Sequence, residues 1–553
     1  MAFDAVLLRE TVVELNEMLT GGKITGVSMP SGDMIVFSVR KGGENFNLLF
    51  RAVCGRAGIN ISSSRFEKTK EGPSFLTLLR KHIQGSDILS FSMPGDDRVC
   101  AIALDCADYL GYREERTLYL EFAGKVPNAI LTDPDGNITD CLRKSELGSY
   151  YRALVPGMKY VLPAPQNKIN FLNADHETVE DTLRSWNGEA PFDKFLMSSF
   201  SGLAPLVCRE AHTAQFMLDL KKASDSHTLK PFAVKVNGKF RDFSYIEIRQ
   251  YGSGSENVCF SSFNEMLDNF YRDSDAEAIK KKRTSELFGR TTTALNRVSK
   301  KLSNRYSELL KTEDREEIKK KADLITANIW RLKKGDRVLE CEDYYDNGKP
   351  VKVELDPLLD GPSNAALYYK KYKKLKNAEK YLNEQIILAE NEKKYLESVL
   401  YEIDKAETSD ELSAIKAELV SSGYIRQDRK PANHKKAQNK TARIEKIRTA
   451  SGFDIYIGKN NIQNDELRSL GRKSDLWFHV KDYHGSHVLL CTYGMEPSEK
   501  DILEAAKAAA EHSEISGQNA LVDFTQLKYV KKPSGAKPGF VTYTNQKTLV
   551  IQP

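Results

Sequence analysis

No two cysteines of this chain stand in a C-x-x-C pair, and its eight cysteines are scattered from Cys54 to Cys491. That scatter argues against a disulfide framework or a cysteine zinc site and predicts reduced, mostly buried thiols. No run approaches the roughly 18 to 20 apolar residues that a membrane span needs. Asp4, Arg9 and Glu10 break the apolar run at the start before a signal core could form, so the expected location is the cytoplasm, with no membrane partner. A Walker loop, a nucleophile elbow, a kinase signature set and a metal-ligand set are all missing, which predicts a non-enzymatic factor without cofactor or metal. There is also no internal repeat and no long low-complexity tract.

What is present is length and charge. At 553 residues the chain exceeds one hydrophobic core and calls for three or four domains. Charged residues make up 29% against 40% hydrophobic, and the formal net charge is only +5. Between Ile425 and Arg448, however, nine Lys or Arg face two acidic residues, a local charge of +7, which makes the remainder about neutral. Such a segment is an electrostatic footprint for a phosphate backbone, with a solvated flexible linker as the plainer reading.

Patterning divides the chain further. Residues 1–172 read as mixed α/β: an opening amphipathic helix ends at Gly21-Gly22, and β-rich runs follow at Met34–Val39, Val99–Leu104 and Thr117–Phe122. Residues 173–270 read as helical and carry Ser201-Gly202-Leu203-Ala204-Pro205, a short turn that would leave amides free before the next helix, as helix-hairpin-helix units do for phosphates. From about 274 to 334 and from about 365 to 405, apolar residues at 3–4 spacing predict two arms of an antiparallel coiled coil, each arm roughly 90 Å long if it holds about 60 residues. Between them, strand-like Arg337–Glu340 and Val351–Leu355 flank Asp346-Asn347-Gly348, predicting a small β tip. A basic linker over 425–448 leads to a compact α/β domain over 449–553.

Several motifs carry a resemblance. Asp475-Leu476-Trp477-Phe478-His479-Val480-Lys481 with Gly485-Ser486-His487-Val488, then Val522-Asp523-Phe524-Thr525 and Lys531-Lys532-Pro533-Ser534-Gly535-Ala536-Lys537-Pro538-Gly539, resemble the signature of the NFACT-R domain. Pro73–His82, Asp97-Arg98, Glu121–Leu131 and Pro156–Tyr160 are similar to NFACT-N segments, and Leu324–Ile329 with Leu355-Asp356-Pro357 and Tyr372–Ala378 to the middle segments. Together they span nearly the whole chain and resemble the RqcH/NEMF family of ribosome-associated quality-control factors. The fold this implies is multidomain α+β: an NFACT-N domain over 1–172, a helix-hairpin-helix domain over 173–270, a coiled-coil middle domain over 271–424 with its β tip near 335–357, a basic linker and an NFACT-R domain. The N-terminal architecture is also similar to formamidopyrimidine-type DNA glycosylases, but Met1-Ala2-Phe3 offers no N-terminal proline nucleophile.

The resemblance implies a factor that binds the large (50S) ribosomal subunit, its 23S rRNA and a stranded peptidyl-tRNA. It would recruit alanyl-tRNA, so that the ribosome itself adds an alanine tail without mRNA. A small S4-domain protein similar to heat-shock protein 15 is an implied helper, and the factor would act as a monomer. The chain ending soon after the NFACT-R motif points to a bacterial member. Taken alone, Asp97-Arg98 reads as a surface ion pair or as an arginine fork with an orienting carboxylate. The resemblance assigns that pair to tRNA, together with Glu121, Arg80 and Lys81. Expected RNA or ribosome contacts are Arg429, Lys430, Lys435, Lys436, Lys440 and Arg443 in the linker, and His487, Lys528, Lys531, Lys532 and Lys537 beyond it. His479, His484 and His487 lie within nine residues but lack a further ligand at a metal-site spacing, so a structural or RNA-contacting role is expected. Trp477 and Phe478 are expected as core aromatics. Two other readings stay open: a general tRNA- or RNA-binding protein without tailing, and a surface fibronectin-binding adhesin.

Overall fold

The structure, a computed structural model, describes residues 3–66, 72–95, 97–107, 111–122, 126–145, 152–425 and 444–552. It divides into two compact units, Met1–Ile279 and Lys280–Pro553.

The first unit is built on strands β1 (Lys23–Ser31), β2 (Met34–Lys41), β3 (Glu44–Arg51), β4 (Gly58–Ser62), β5 (Asp87–Ser92), β6 (Val99–Ala107), β7 (Arg113–Glu121), β8 (Asn128–Thr132) and β9 (Ile138–Cys141). They form one sheet in the order β4-β3-β2-β1-β5-β6-β7-β8-β9, antiparallel throughout. Gly42 and Gly43, both at positive φ, make the two-residue turn from β2 to β3 and set the register Lys41↔Glu44. Helix α1 (Ala5–Leu19) is capped by Asp4, whose carboxylate accepts from the Leu7 amide at 3.0 Å. It buries Leu8, Val12, Leu15 and Leu19 in the sheet core, and Gly21 takes the left-handed conformation just past its end. Helix α2 (Ser74–Ile83) buries Phe75, Leu76, Leu79 and Ile83, one helix face, on the same core.

The segment after residue 173 departs from the expected helices at its end. Phe232–Val236, Lys239–Ser244 and Ser255–Cys259 form a three-stranded antiparallel sheet. Its hairpin turns on Asn237-Gly238, both at positive φ, between runs rich in Phe and Val. Asn-Gly between such runs is the strongest short hairpin signal, and it outweighs the helical patterning around it.

The long helix Phe263–Leu310 runs across the boundary between the units and stops short of the predicted arm. Its 48 residues measure about 72 Å. A turn in which the Thr312 amide and hydroxyl both donate to the Leu309 carbonyl separates it from Arg315–Ala327. No proline or glycine marks that break, so patterning ran through it. In the second unit this helix packs against Gly361–Lys405: Leu287 and Val298 meet Leu396, Val399 and Ile403, and Arg305 donates to Gln385 at 2.9 Å, while Arg315 at the start of the next helix pairs with Glu379. Positions rise on one helix as they fall on the other, so the two are antiparallel. A hairpin of Val338–Asp343 and Lys349–Glu354 joins them through Asn347-Gly348.

The C-terminal part of the second unit is a six-stranded antiparallel sheet, in the spatial order Glu445–Arg448, Asp454–Ile457, Val488–Cys491, Leu476–Val480, Ala520–Gln526 and Lys547–Ile551. Helix Glu499–Glu511 lays Ala505, Ala506 and Ala509 on one face, against Ile455, Phe478 and Val522. Trp477, Leu489 and Leu467 fill the other face. Trp477 and Phe478 are thus both core residues, on opposite faces as strand alternation requires. All eight cysteines are free thiols. No helix among the described residues is long and apolar enough to cross a membrane.

Candidate nucleic-acid interfaces

Asp97 and Arg98 stand at the entry to β6, about one-fifth exposed. Asp97 Oδ1 accepts from the Arg98 amide at 2.7 Å and lies 3.7 Å from the guanidinium Nε, while Arg98 Nη1 donates to the Phe3 carbonyl at 3.1 Å. The backbone is pinned as well, since the Phe122 amide donates to the Arg98 carbonyl at 3.0 Å. The pair is therefore held at the sheet end with part of both side chains reaching solvent.

The ladder register Val99↔Glu121 brings Glu121 to the same end of the sheet. Its expected tRNA contact meets an obstacle in its surroundings: Glu121 is 5% exposed. Its carboxylate accepts two hydrogen bonds from Arg152, at 2.8 and 2.7 Å, and one from the Tyr160 hydroxyl at 2.7 Å. In this arrangement Glu121 is a positioning residue that clamps the Arg152 segment to β7. Burial and the Glu121 charge push the Tyr160 hydroxyl far up, and the same carboxylate raises Arg152. Neither Arg152 nor Tyr160 was singled out from sequence as a partner; the Pro156–Tyr160 match was the only pointer. Arg80 donates from Nε to the Val27 carbonyl at 3.0 Å and so ties α2 to β1, whereas Lys81 beside it is exposed.

The turn at Gly202 also differs from expectation. Gly202 sits at φ +88°, which a glycine adopts freely. The Ala204 amide donates to Asp4 Oδ2 at 2.7 Å, and the Tyr245 hydroxyl reaches the same oxygen at 2.9 Å. A buried carboxylate thus occupies an amide that was expected to be free for phosphate. Burial raises Asp4 to about 6 despite these donors and the nearby Arg98 charge.

In the C-terminal domain the signature residues form one wall of a cavity of about 1200 Å³ whose other wall is the helix Gly361–Lys405. His487, expected at an RNA surface, is 3% exposed and packs edge-on to Trp477 and His479, at 5.1 and 5.2 Å. Burial holds its imidazole neutral and draws His479 down to about 4, so neither adds positive charge for a phosphate near pH 7. Lys537 lies over the rings of Tyr424 and Tyr395, at 4.9 and 5.7 Å, and Lys532 pairs with Asp465. Lys528 and Lys531 are exposed. Gly539 shows why its loop needs glycine: it stands at φ +76°, and a Cβ would lie 2.0 Å from Asn461 Oδ1.

The linker cations Arg429, Lys430, Lys435, Lys436, Lys440 and Arg443 lie outside the described residues. The remainder of the chain, about neutral in sum, is uneven in charge. Residues 280–305 hold nine Lys or Arg and one Glu, a charge of +8 that exceeds the linker's, and a sliding count of charge would have found it.

Residues 4–439 match the family model described as NFACT N-terminal and middle domains, and residues 444–544 match NFACT protein RNA binding domain. The Rqc2 homolog RqcH of Bacillus subtilis (strain 168) is 35% identical, over 100% of this chain and 98% of its own. The Rqc2 homolog RqcH of Streptococcus pneumoniae serotype 2 is 31% identical, with the same coverage of 100% and 98%. The solved C-terminal structure of the fibronectin/fibrinogen-binding protein from Streptococcus suis is 32% identical over 50% of this chain and 95% of its own, with a TM-score of 0.38, an overlap too loose to carry an argument.

Proposed function

The chain belongs to the RqcH/NEMF family of NFACT-domain proteins, and from that premise we propose that it is a ribosome-associated quality-control factor that binds the obstructed large subunit and recruits alanyl-tRNA for alanine tailing. The observation that carries this reading is the match to RqcH along the full chain, with Asp97-Arg98 fixed and partly exposed at a sheet end.

In this reading the factor does no covalent chemistry; the peptidyl transferase of the 50S subunit joins alanine to the stranded peptidyl-tRNA. The Arg98 guanidinium offers a planar donor fork to a phosphate or base edge, and Asp97 orients it or accepts from a base amine or ribose hydroxyl. The Gly202 turn acts as a helix-hairpin-helix element that braces the N-terminal module. The paired long helices serve as a coiled-coil arm with a β tip that spans part of the 50S surface, and Lys528 and Lys531 meet 23S rRNA backbone. The factor works as a monomer in the cytoplasm, with the small S4-domain protein as helper.

The test is to purify tagged protein from cells at low salt, sequence the RNA that comes with it, and repeat with Asp97→Ala plus Arg98→Ala. The expected result is large-subunit rRNA in both samples and alanine tRNA enriched only in the unchanged one. Background levels of rRNA in both would overturn the quality-control role. Equal alanine tRNA in both would remove tRNA selection from Asp97-Arg98.

A further inference from the structure

The helix Phe263–Leu310 carries a row of cations that no part of the reading above uses. Arg290, Arg297, Lys300 and Lys301 are all exposed. Seven residues are two helical turns less about 20°, so Arg290 and Arg297 share a flank about 10.5 Å apart, and Lys301 continues it about 6 Å further on. The apolar seam of the same stretch, Leu287 and Val298, is turned into the contact with the second long helix. The one carboxylate within residues 280–305, Glu286, lies beside Lys282 at 3.6 Å. Like charges repeated along one flank repel, and a polyanion laid along them removes that repulsion and releases counterions.

A shallow groove of about 430 Å³ opens beside the row, lined by Arg297, Lys300, Lys301, Asn304, Arg305 and Tyr381, with Glu308 as its single carboxylate. Tyr381 comes from the second long helix and is 59% exposed. On that helix residues 370–380 add six lysines against one Glu. Cations repeated along one flank next to an open aromatic face are the elements of a single-stranded nucleic-acid platform: the charges track the backbone and the ring stacks a base. An acidic protein segment would satisfy the cations but leave the ring without a function.

We propose that this flank of the paired helices, Arg290, Arg297, Lys300 and Lys301 with Tyr381, is an RNA-binding surface that grips single-stranded backbone and stacks one unpaired base. It acts separately from tRNA capture at Asp97-Arg98 and from the linker. The test titrates full-length protein with a fluorescent single-stranded RNA of mixed sequence at several salt concentrations. The Arg290→Ala/Arg297→Ala/Lys301→Ala variant is expected to flatten the log–log salt slope by about 2, from three lost phosphate contacts. Tyr381→Ala is expected to weaken binding about tenfold at unchanged slope. Circular dichroism should show unchanged helix content, because these side chains are exposed. If the triple variant keeps slope and affinity while Lys430→Ala/Lys435→Ala/Lys436→Ala lowers both, this surface is overturned and RNA binding through the linker stands. RNA displaced by poly-glutamate at equal affinity, together with no effect of Tyr381→Ala, would overturn RNA as the ligand in favour of an acidic protein. No RNA binding by the unchanged chain would overturn both this surface and the RNA reading of the linker.

Discussion

In the first unit Glu121 is held by Arg152 and Tyr160, Arg98 by the Phe3 carbonyl and Arg80 of α2 by that of Val27. On the long helix of the second unit, Arg290, Arg297, Lys300 and Lys301 stand exposed on a flank. The difference follows from architecture. A nine-stranded sheet covered by helices closes around its polar groups, and each must find a partner inside. A helix that buries one seam leaves most of its circumference in water, where cations need none. Wired charges keep a fixed geometry and suit selection, whereas solvated ones supply salt-sensitive affinity without geometry.

The comparison breaks most sharply at Glu121. Glu121→Ala strands the Arg152 guanidinium and the Tyr160 hydroxyl at a largely buried site and should cost about 3–5 kcal/mol in denaturant unfolding of the first unit. A loss below about 1 kcal/mol would mean that the clamp is not structural, and would return Glu121 to the list of direct RNA contacts.

Asp4 sharpens the same contrast through pH. Its folded value of about 6 lies above the roughly 3.9 of an unfolded aspartate, so the protonated form favours the fold. The stability it allows is complete below about pH 4 and is lost as pH rises through about 6, on the order of 2–3 kcal/mol. The difference in unfolding free energy between the unchanged chain and Asp4→Asn should therefore shift between pH 4 and 7. Parallel stability curves over that range would refute the assignment.

The smallest effect belongs to the helix. Arg297→Ala should change stability by no more than about 0.5 kcal/mol, read as an unaltered denaturant midpoint. A larger loss would show that the flank is part of the fold and not a free surface.

The opening helix, β2, β6 and β7 were legible because an amphipathic period and alternating β-branched runs are local signals. The hairpin between the long helices was legible from Asp346-Asn347-Gly348 for the same reason. The Asn237-Gly238 hairpin was equally legible and was missed, while the break after Leu310 is marked only by Asp314 ahead of Glu316 and Glu317, a helix-start signal inside an otherwise helical pattern. Asp97-Arg98 could be singled out only by its resemblance to a family motif, since an adjacent acid and base are common on any surface.

Sequence by itself determined the family, most of the helices, the main β-rich runs of the first domain and the scattered thiols, because each is written in contiguous residues or in matched motifs. Tertiary structure alone decided which charges are occupied. Arg152 on Glu121, Ala204 on Asp4, and His487 beneath Trp477 join residues between 10 and 200 positions apart, and burial then converts a polar side chain from a candidate contact into a structural brace.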